Sequence, residues 1–468
     1  MESNTRITLI RMTTERTTVR TDCKWSLLWN VAALCGLLCA PEATAAADPA
    51  PPWSAGSAAW KPAWLADASL TIKESYDDNV FMSDVSRPAG DATLNDKSSF
   101  VTTISPKVGF DLARALDADD TLKLLSLAYA PDFVMYHSLP SENYDSHRVS
   151  LAAAGKNDAF SYNLDNAFTY VDASRVAPSY PGNLFNAWAT INAYARREQL
   201  QDRSKISAQY DWDHWFIRPG ASLAYYGMMT EIKDPRLAST PSGYQNYCTR
   251  YDVNGGADAG WKFCPDMAAT LGWRYGSQGQ EKYSFEGYNS GSDYQRVLLG
   301  VEGKPFKWLN MQVLGGPDFR NYESIAPVND RHTVTYYGEA SLAATLTPQD
   351  TLSFKYKQFR FVSCLGVKPY FDSSYGLSYA RKFTDRFSLD VGARLLEADY
   401  TVGNLGSCVR DDVDYVPSAG LHYAFSAHVA ADLGYSANLG RNAQDGIANP
   451  ANRDFDSQEI SMGVQIRF

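Results

Sequence analysis

Long apolar runs are scarce in this chain. Of its 468 residues 45% are hydrophobic, yet the mean hydropathy is −0.33. Apolar side chains are therefore dispersed, not gathered into the blocks of about twenty that helical membrane spans require, and a helical transmembrane bundle is excluded. The motifs that carry common enzyme chemistry are missing too: there is no G-x-S-x-G, no H-E-x-x-H and no P-loop spacing. The six histidines are scattered. Basic charge is in deficit, 43 Lys and Arg against 53 Asp and Glu, which makes nucleic acid an improbable partner. Cysteine is sparse at seven, and three of these precede residue 46.

What is abundant is aromatic surface: 29 Tyr, 21 Phe and 11 Trp. Such residues suit boundaries that are apolar on one side and wet on the other, membrane interfaces among them. A large soluble β-sandwich or propeller with a Tyr-rich surface fits the composition equally well, and the N-terminal segment tips the balance. Arg6, Arg11, Arg16, Arg20 and Lys24 precede an apolar run from Trp25 to Ala40, followed by small residues at Ala43, Ala45 and Ala47. That order of basic region, apolar region and A-x-A site is the signature of an export signal, so residues 1–45 are predicted to be a signal peptide. The remainder carries 38 basic and 49 acidic residues and keeps Cys248, Cys264, Cys364 and Cys408. In an oxidising compartment these can form disulfides.

Residues 46–65, rich in Pro, Ala and Trp, read as a short periplasmic lead-in. From Ala66 to Phe468 the chain reads as segments of roughly ten residues with period-two alternation. Between Thr333 and Leu346, Val334, Tyr336, Ala340 and Leu342 alternate with Thr335, Glu339 and Ser341. Leu389, Val391, Ala393 and Leu395 alternate with Asp390 and Arg394, and Ile460, Met462, Val464, Ile466 and Phe468 with Glu459, Gln465 and Arg467. One face suits lipid and the other water. A charged inner face could not form the core of a sandwich. Tight turns are read at 116–119, 156–159, 213–216, 263–266, 305–308, 347–350, 382–385 and 426–429, with longer polar loops between them. The expected fold is all-β: a transmembrane antiparallel β-barrel of about 18 strands, with short periplasmic turns, longer extracellular loops and both ends in the periplasm. Glu198 to Trp212 and the stretch around Gly255 are weakly patterned.

The alternation points Arg197, Arg203, Lys205, Arg218, Arg274, Arg296, Arg320, Lys355, Lys357 and Arg394 into the lumen, together with Glu302, Asp318, Glu339, Asp390 and Asp432. A mixed wall suits polar or zwitterionic cargo as well as ions; the alternative is that these charges pair across strands and fill the barrel. Tyr226, Tyr294 and Tyr337 also face inward and could stack on sugar rings. His422 would face the lumen beside Ser418, the one pair from which a barrel hydrolase could be built. No cofactor is expected. The topology places Cys364 and Cys408 in adjacent outer loops and predicts a disulfide between them. It sets Cys248 and Cys264 at opposite ends of a strand, about 50 Å apart at roughly 3.3 Å per residue.

Phe468 ends the last alternating segment, as in the terminal signal by which bacterial barrels are recognised for assembly. The opening SLTIKESYDDNVFMSD (69–84), with SSFVTTISPKVGFDL (98–112), resembles the start of the β-barrel porin 2 family. Tyr76-Asp77-Asp78-Asn79-Val80-Phe81 and Ile104-Ser105-Pro106 are its specific elements. The resemblance implies an outer-membrane porin whose relatives often accompany exopolysaccharide export. Outer-membrane lipid, lipopolysaccharide, the barrel assembly machinery and polysaccharide-export components are the partners it implies. Asp77, Asp78 and Asn79 read either as oxygen ligands for a cation or as a turn. A structural or adhesive surface barrel and a barrel enzyme acting on envelope lipid or glycan remain as alternatives.

Overall fold

The computed structural model describes residues 62, 64–80, 98–116, 121–174, 197–228, 249–280, 291–322, 331–362, 369–399, 410–444 and 455–468. They form one antiparallel sheet of eighteen strands: β1 (Leu65–Asp77), β2 (Ser99–Asp111), β3 (Leu124–Tyr136), β4 (Tyr144–Asn157), β5 (Phe160–Ser174), β6 (Arg197–Trp212), β7 (Trp215–Met228), β8 (Arg250–Cys264) and β9 (Met267–Gln280). The second half is β10 (Ser292–Phe306), β11 (Leu309–Tyr322), β12 (His332–Thr347), β13 (Asp350–Phe361), β14 (Tyr370–Lys382), β15 (Phe387–Asp399), β16 (Arg410–Ala424), β17 (Val429–Gln444) and β18 (Phe455–Arg467). Each strand pairs with its neighbours in sequence, and β1 pairs with β18, so the sheet closes on itself. No strand edge is left open, which a barrel in lipid requires.

One end of the barrel carries short connections. Asp158-Ala159, Asp213-His214, Pro265-Asp266, Lys307-Trp308 and Pro348-Gln349 each join two strands with two residues. Asp158 (φ 37°) and Asp213 (φ 52°) adopt the left-handed conformation that two-residue hairpins demand and that Asp tolerates. Gly303 (φ 131°) lies beside another such turn, where a Cβ would meet the Asp266 carbonyl oxygen. Of the expected tight turn at 116–119, only Leu116 is among the described residues. The connection from β2 to β3 runs through 112–123 and begins with a one-turn helix, α1 (Leu112–Ala115), capped by the Asp111 carboxylate accepting from the Arg114 amide. The capping carboxylate offers the backbone a helical start in place of a hairpin. The chain also enters β1 one residue earlier than expected, at Leu65.

The outer face carries two aromatic girdles. Near the turn end Phe160, Trp212, Trp215, Trp261, Trp308, Phe425 and Phe468 are exposed; near the loop end Tyr76, Phe100, Tyr251, Tyr275, Tyr336 and Tyr415 are. In β8 the girdle residues Trp261 and Tyr251 are ten positions apart, about 25 Å of height for a strand tilted by roughly 40°. That is the height of a bilayer's apolar band. Between the girdles Ile72, Ile206, Val253, Leu271, Leu299, Val391, Leu433 and Met462 stand exposed. The band is interrupted at β5 and β6, where Asn166 donates to Asp202 and Ser204 (2.7 and 2.8 Å) and Tyr170 Oη donates to Glu198 (2.6 Å) on outward positions.

The Asp77-Asp78-Asn79 run stitches the seam. Asp78 N–H donates to the Gln458 carbonyl (3.1 Å), its carboxylate accepts from the Gln458 N–H (2.6 Å), and the Asn79 side chain donates to the Asp456 carbonyl (2.8 Å). The motif thus extends the β1–β18 pairing past the last ladder pair, Asp77 with Glu459. At the other end Phe468 N–H donates to the Ala68 carbonyl (2.9 Å).

Candidate functional site

Side chains that touch across many strands can meet only through the interior, and such contacts identify the inner face. Arg250 Nη1 on β8 donates to Tyr370 Oη on β14 (2.9 Å), and its guanidinium lies 5.1 Å from the Tyr226 ring centre and 4.5 Å from that of Phe361. Tyr226 on β7 meets Phe361 on β13 edge-on at 6.4 Å. Arg203 Nη2 donates to Tyr226 Oη (2.7 Å). These residues make a cation and aromatic bridge between β6–β8 and β13–β14 toward the loop end. It is backed by a buried apolar cluster of Leu298, Tyr337, Phe359, Phe361, Val362 and Tyr370. Lys357 caps Phe359 at 4.7 Å.

Beside the bridge, β9–β11 hold a buried charge network. Asp318, fully buried, accepts from Arg296 Nε (3.1 Å) and from Arg320 Nε and Nη2 (3.2 and 2.9 Å). Arg320 Nη1 also donates to Gln278 and Ser292, while Gln278 and Tyr294 donate to Asp252 at 2.6 Å each. Arg296 lies 4.0 Å from the Tyr294 ring centre and 4.4 Å from that of Tyr337. Tyr294 and Tyr337 are thus covered by guanidinium, and Tyr226 is shared by two arginines.

Toward the turn end the charges pair across strands. Arg218 makes a bidentate bond to Glu302 (2.9 and 2.7 Å) and reaches Asp258 (3.3 Å), which also holds Arg274 (2.7 Å); Lys262 pairs with Asp211 (2.5 Å). Arg218, Glu302 and Lys262 border a cavity of about 480 Å³. On the opposite part of the wall His422 sits between Asp390 and Asp432, with the Lys73–Glu459 pair (2.7 Å) on the same face, around a second cavity of about 260 Å³. Gly420 leaves the room that Asp390 occupies, since a Cβ there would meet its carboxylate at 2.6 Å. Both imidazole nitrogens of His422 are engaged by carboxylates, so neither is presented to Ser418 as a base, and the hydrolase arrangement is not formed.

Glu339 accepts from Tyr337 Oη (2.6 Å). Lys205, Lys355 and Arg394 have no ion-pair partner among the described residues, although Lys205 stands opposite Asp165 in register. Arg197 opens β6, and its side chain lies outside the described residues. Arg250, Asp252, Asp258, Gln278, Phe359, Phe361 and Tyr370 are additions to the expected set. Arg250 opens β8, and its parity with Asp252 and Asn254 against Tyr251 and Val253 carries the inward signal.

Cys264 ends β8 at the turn end and is disulfide-bonded to a residue outside those described. Cys364 and Cys408 fall in 363–368 and 400–409, also outside them. The loops that carry these two cysteines join β13 to β14 and β15 to β16, neighbouring hairpins at one end of the barrel. Peptide mapping of the unreduced protein is expected to recover Cys364 linked to Cys408, and the same digest identifies the partner of Cys264. A linked Cys248 and Cys264 would overturn the placement of β8.

No family model matches the chain, and no curated protein matches it. Solved structures align with it along most of its length at low identity. OccK2 (OpdF) from Pseudomonas aeruginosa, crystallised in complex with glucuronate, is 12% identical over 87% of this chain and 100% of its own, with a TM-score of 0.40. OccK3 (OpdO) from the same organism is 10% identical over 86% and 96%, TM-score 0.40. The siderophore receptor PirA from Acinetobacter baumannii is 8% identical over 86% and 81%, TM-score 0.37.

Proposed function

We propose that this protein is an outer-membrane channel through which polar solutes cross. The observation that carries the reading is the inversion of polarity across one closed wall. Exposed Ile, Leu, Val and aromatic side chains cover the outside, while arginines, lysines, carboxylates and amides line the inside. An apolar belt between two aromatic girdles has its use in a bilayer, and a charged inner wall has its use in contact with water. Membrane lipid and lipopolysaccharide then cover the belt, and the assembly machinery reads β18 with the Phe468 that follows it.

Small solutes are favoured over a wide polymer path because the Arg250–Tyr370 and Tyr226–Phe361 contacts narrow the interior near the loop end. Polysaccharide as cargo is supported by the β-barrel porin 2 resemblance alone. A surface barrel without transport is the second reading, favoured by the same narrowing. Planar bilayers separate the two. The purified full chain is expected to give current steps of reproducible size, and a folded barrel that inserts without steps would leave only the second reading.

A further inference from the structure

The 480 Å³ cavity toward the turn end lies against β6–β12, and its polar side chains divide into two groups. The charged ones within the wall are already neutralised by one another: Arg218 by Glu302 and Asp258, and Lys262 by Asp211. Gln209 is committed as well, its amide to Asp211 and its carbonyl to Arg218. The remaining carboxylate, Asp266, is exposed on the turn at the rim, where water screens it. The second group is uncharged and unengaged. Asn310, Gln312 and Ser341 line the same cavity, and their side chains have no hydrogen-bond partner among the described residues. Gln312 and Ser341 are directly opposite each other on β11 and β12, and Glu302 faces Gln312 from β10. A row of donors and acceptors thus runs across three strands at intervals of about 4.8 Å.

We propose that this recess is a subsite for an uncharged, hydroxyl-bearing solute of sugar size. An ion entering it would leave its hydration shell and find no uncompensated charge within the wall to offset that cost. A polyol exchanges its water bonds one for one with two amides and a hydroxyl, each of which both donates and accepts. A recess of this volume is in the range that holds small ligands. The inference rests on the channel reading above and names the class of cargo for it.

Equilibrium binding and current block, measured on the same detergent-purified full chain, test it. Glucose, galactose and sucrose are the probes, with glucuronate and glucosamine as charged counterparts. At least one neutral sugar is expected to bind and to interrupt the current reversibly, with neither charged counterpart binding more tightly. Gln312→Ala and Asn310→Ala, checked for folding by heat-modifiable gel mobility, are each expected to weaken that binding by roughly 2- to 12-fold, the worth of one ordinary hydrogen bond. Steps without binding of any neutral sugar, or unchanged binding in both variants, would overturn the subsite and leave the channel standing. Sugar binding to a barrel that gives no steps would retire the channel and leave the subsite.

Discussion

Replacing Asp318 by alanine is expected to destabilise the barrel by about 3–5 kcal/mol, the cost of removing one partner from a buried ion pair. Arg296 and Arg320 are 5% and 3% exposed, and each directs its guanidinium at the same Asp318 oxygen. Without that carboxylate two cations remain buried side by side, with Gln278, Ser292, aromatic faces and the more distant Asp252 carboxylate to answer them. The Lys73–Glu459 pair makes the contrast. Its side chains are 38% and 35% exposed, so Glu459→Ala should cost no more than about 1 kcal/mol. Urea titration followed by heat-modifiable mobility reads both variants. An Asp318→Ala barrel that unfolds at the wild-type midpoint would show that the network is not a structural unit.

The network also explains what the sequence could and could not disclose. Parity alone placed Arg296, Asp318 and Arg320 on one face, because strands β10 and β11 alternate cleanly with Val297, Leu299 and Phe319. Parity does not say which inward charges a folded wall covers. That depends on β8–β12 converging on one spot, and on Asp252 and Gln278 lying two and one strands away. The same limit hid the bridge, whose members Arg250 and Tyr370 are 120 residues apart in sequence.

Where the alternation was weak, the outer face is unusual. In β6 the outward positions hold Glu198, Asp202 and Ser204, which bond to Tyr170 and Asn166 in place of meeting lipid as apolar groups. In β8 they are Gly255, Ala257 and Ala259, too small to register as an apolar row. The seam was invisible for another reason. Asp77, Asp78 and Asn79 are common turn formers, and only closure of β1 on β18 brings Gln458 and Asp456 beside them. At the end of β2 a capping Asp111 opens a one-turn helix, so the connection to β3 is longer than the four-residue turn that composition alone suggests.

Substituting arginine for Val391 is expected to impair folding by about 2–4 kcal/mol, the penalty for a cation on the lipid face near the bilayer midplane, whereas Arg394→Ala should fold normally. The two positions are three residues apart on β15 and differ in face. Val391 is 44% exposed on the outside and pairs with Tyr379 and Ala419, members of the same outward row. Arg394 pairs with Gly376 and Val416, and Gly376 in turn faces Lys355. Removing Arg394 takes one unpaired cation from the lumen and should shift ion selectivity toward cations, read as a changed reversal potential under a salt gradient. Removing it costs no buried partner, because no carboxylate among the described residues is bonded to it. Folding yield and reversal potential together separate the two roles. Equal folding of both variants would mean that the alternation along β15 does not divide lipid from lumen, and the channel reading would lose its premise.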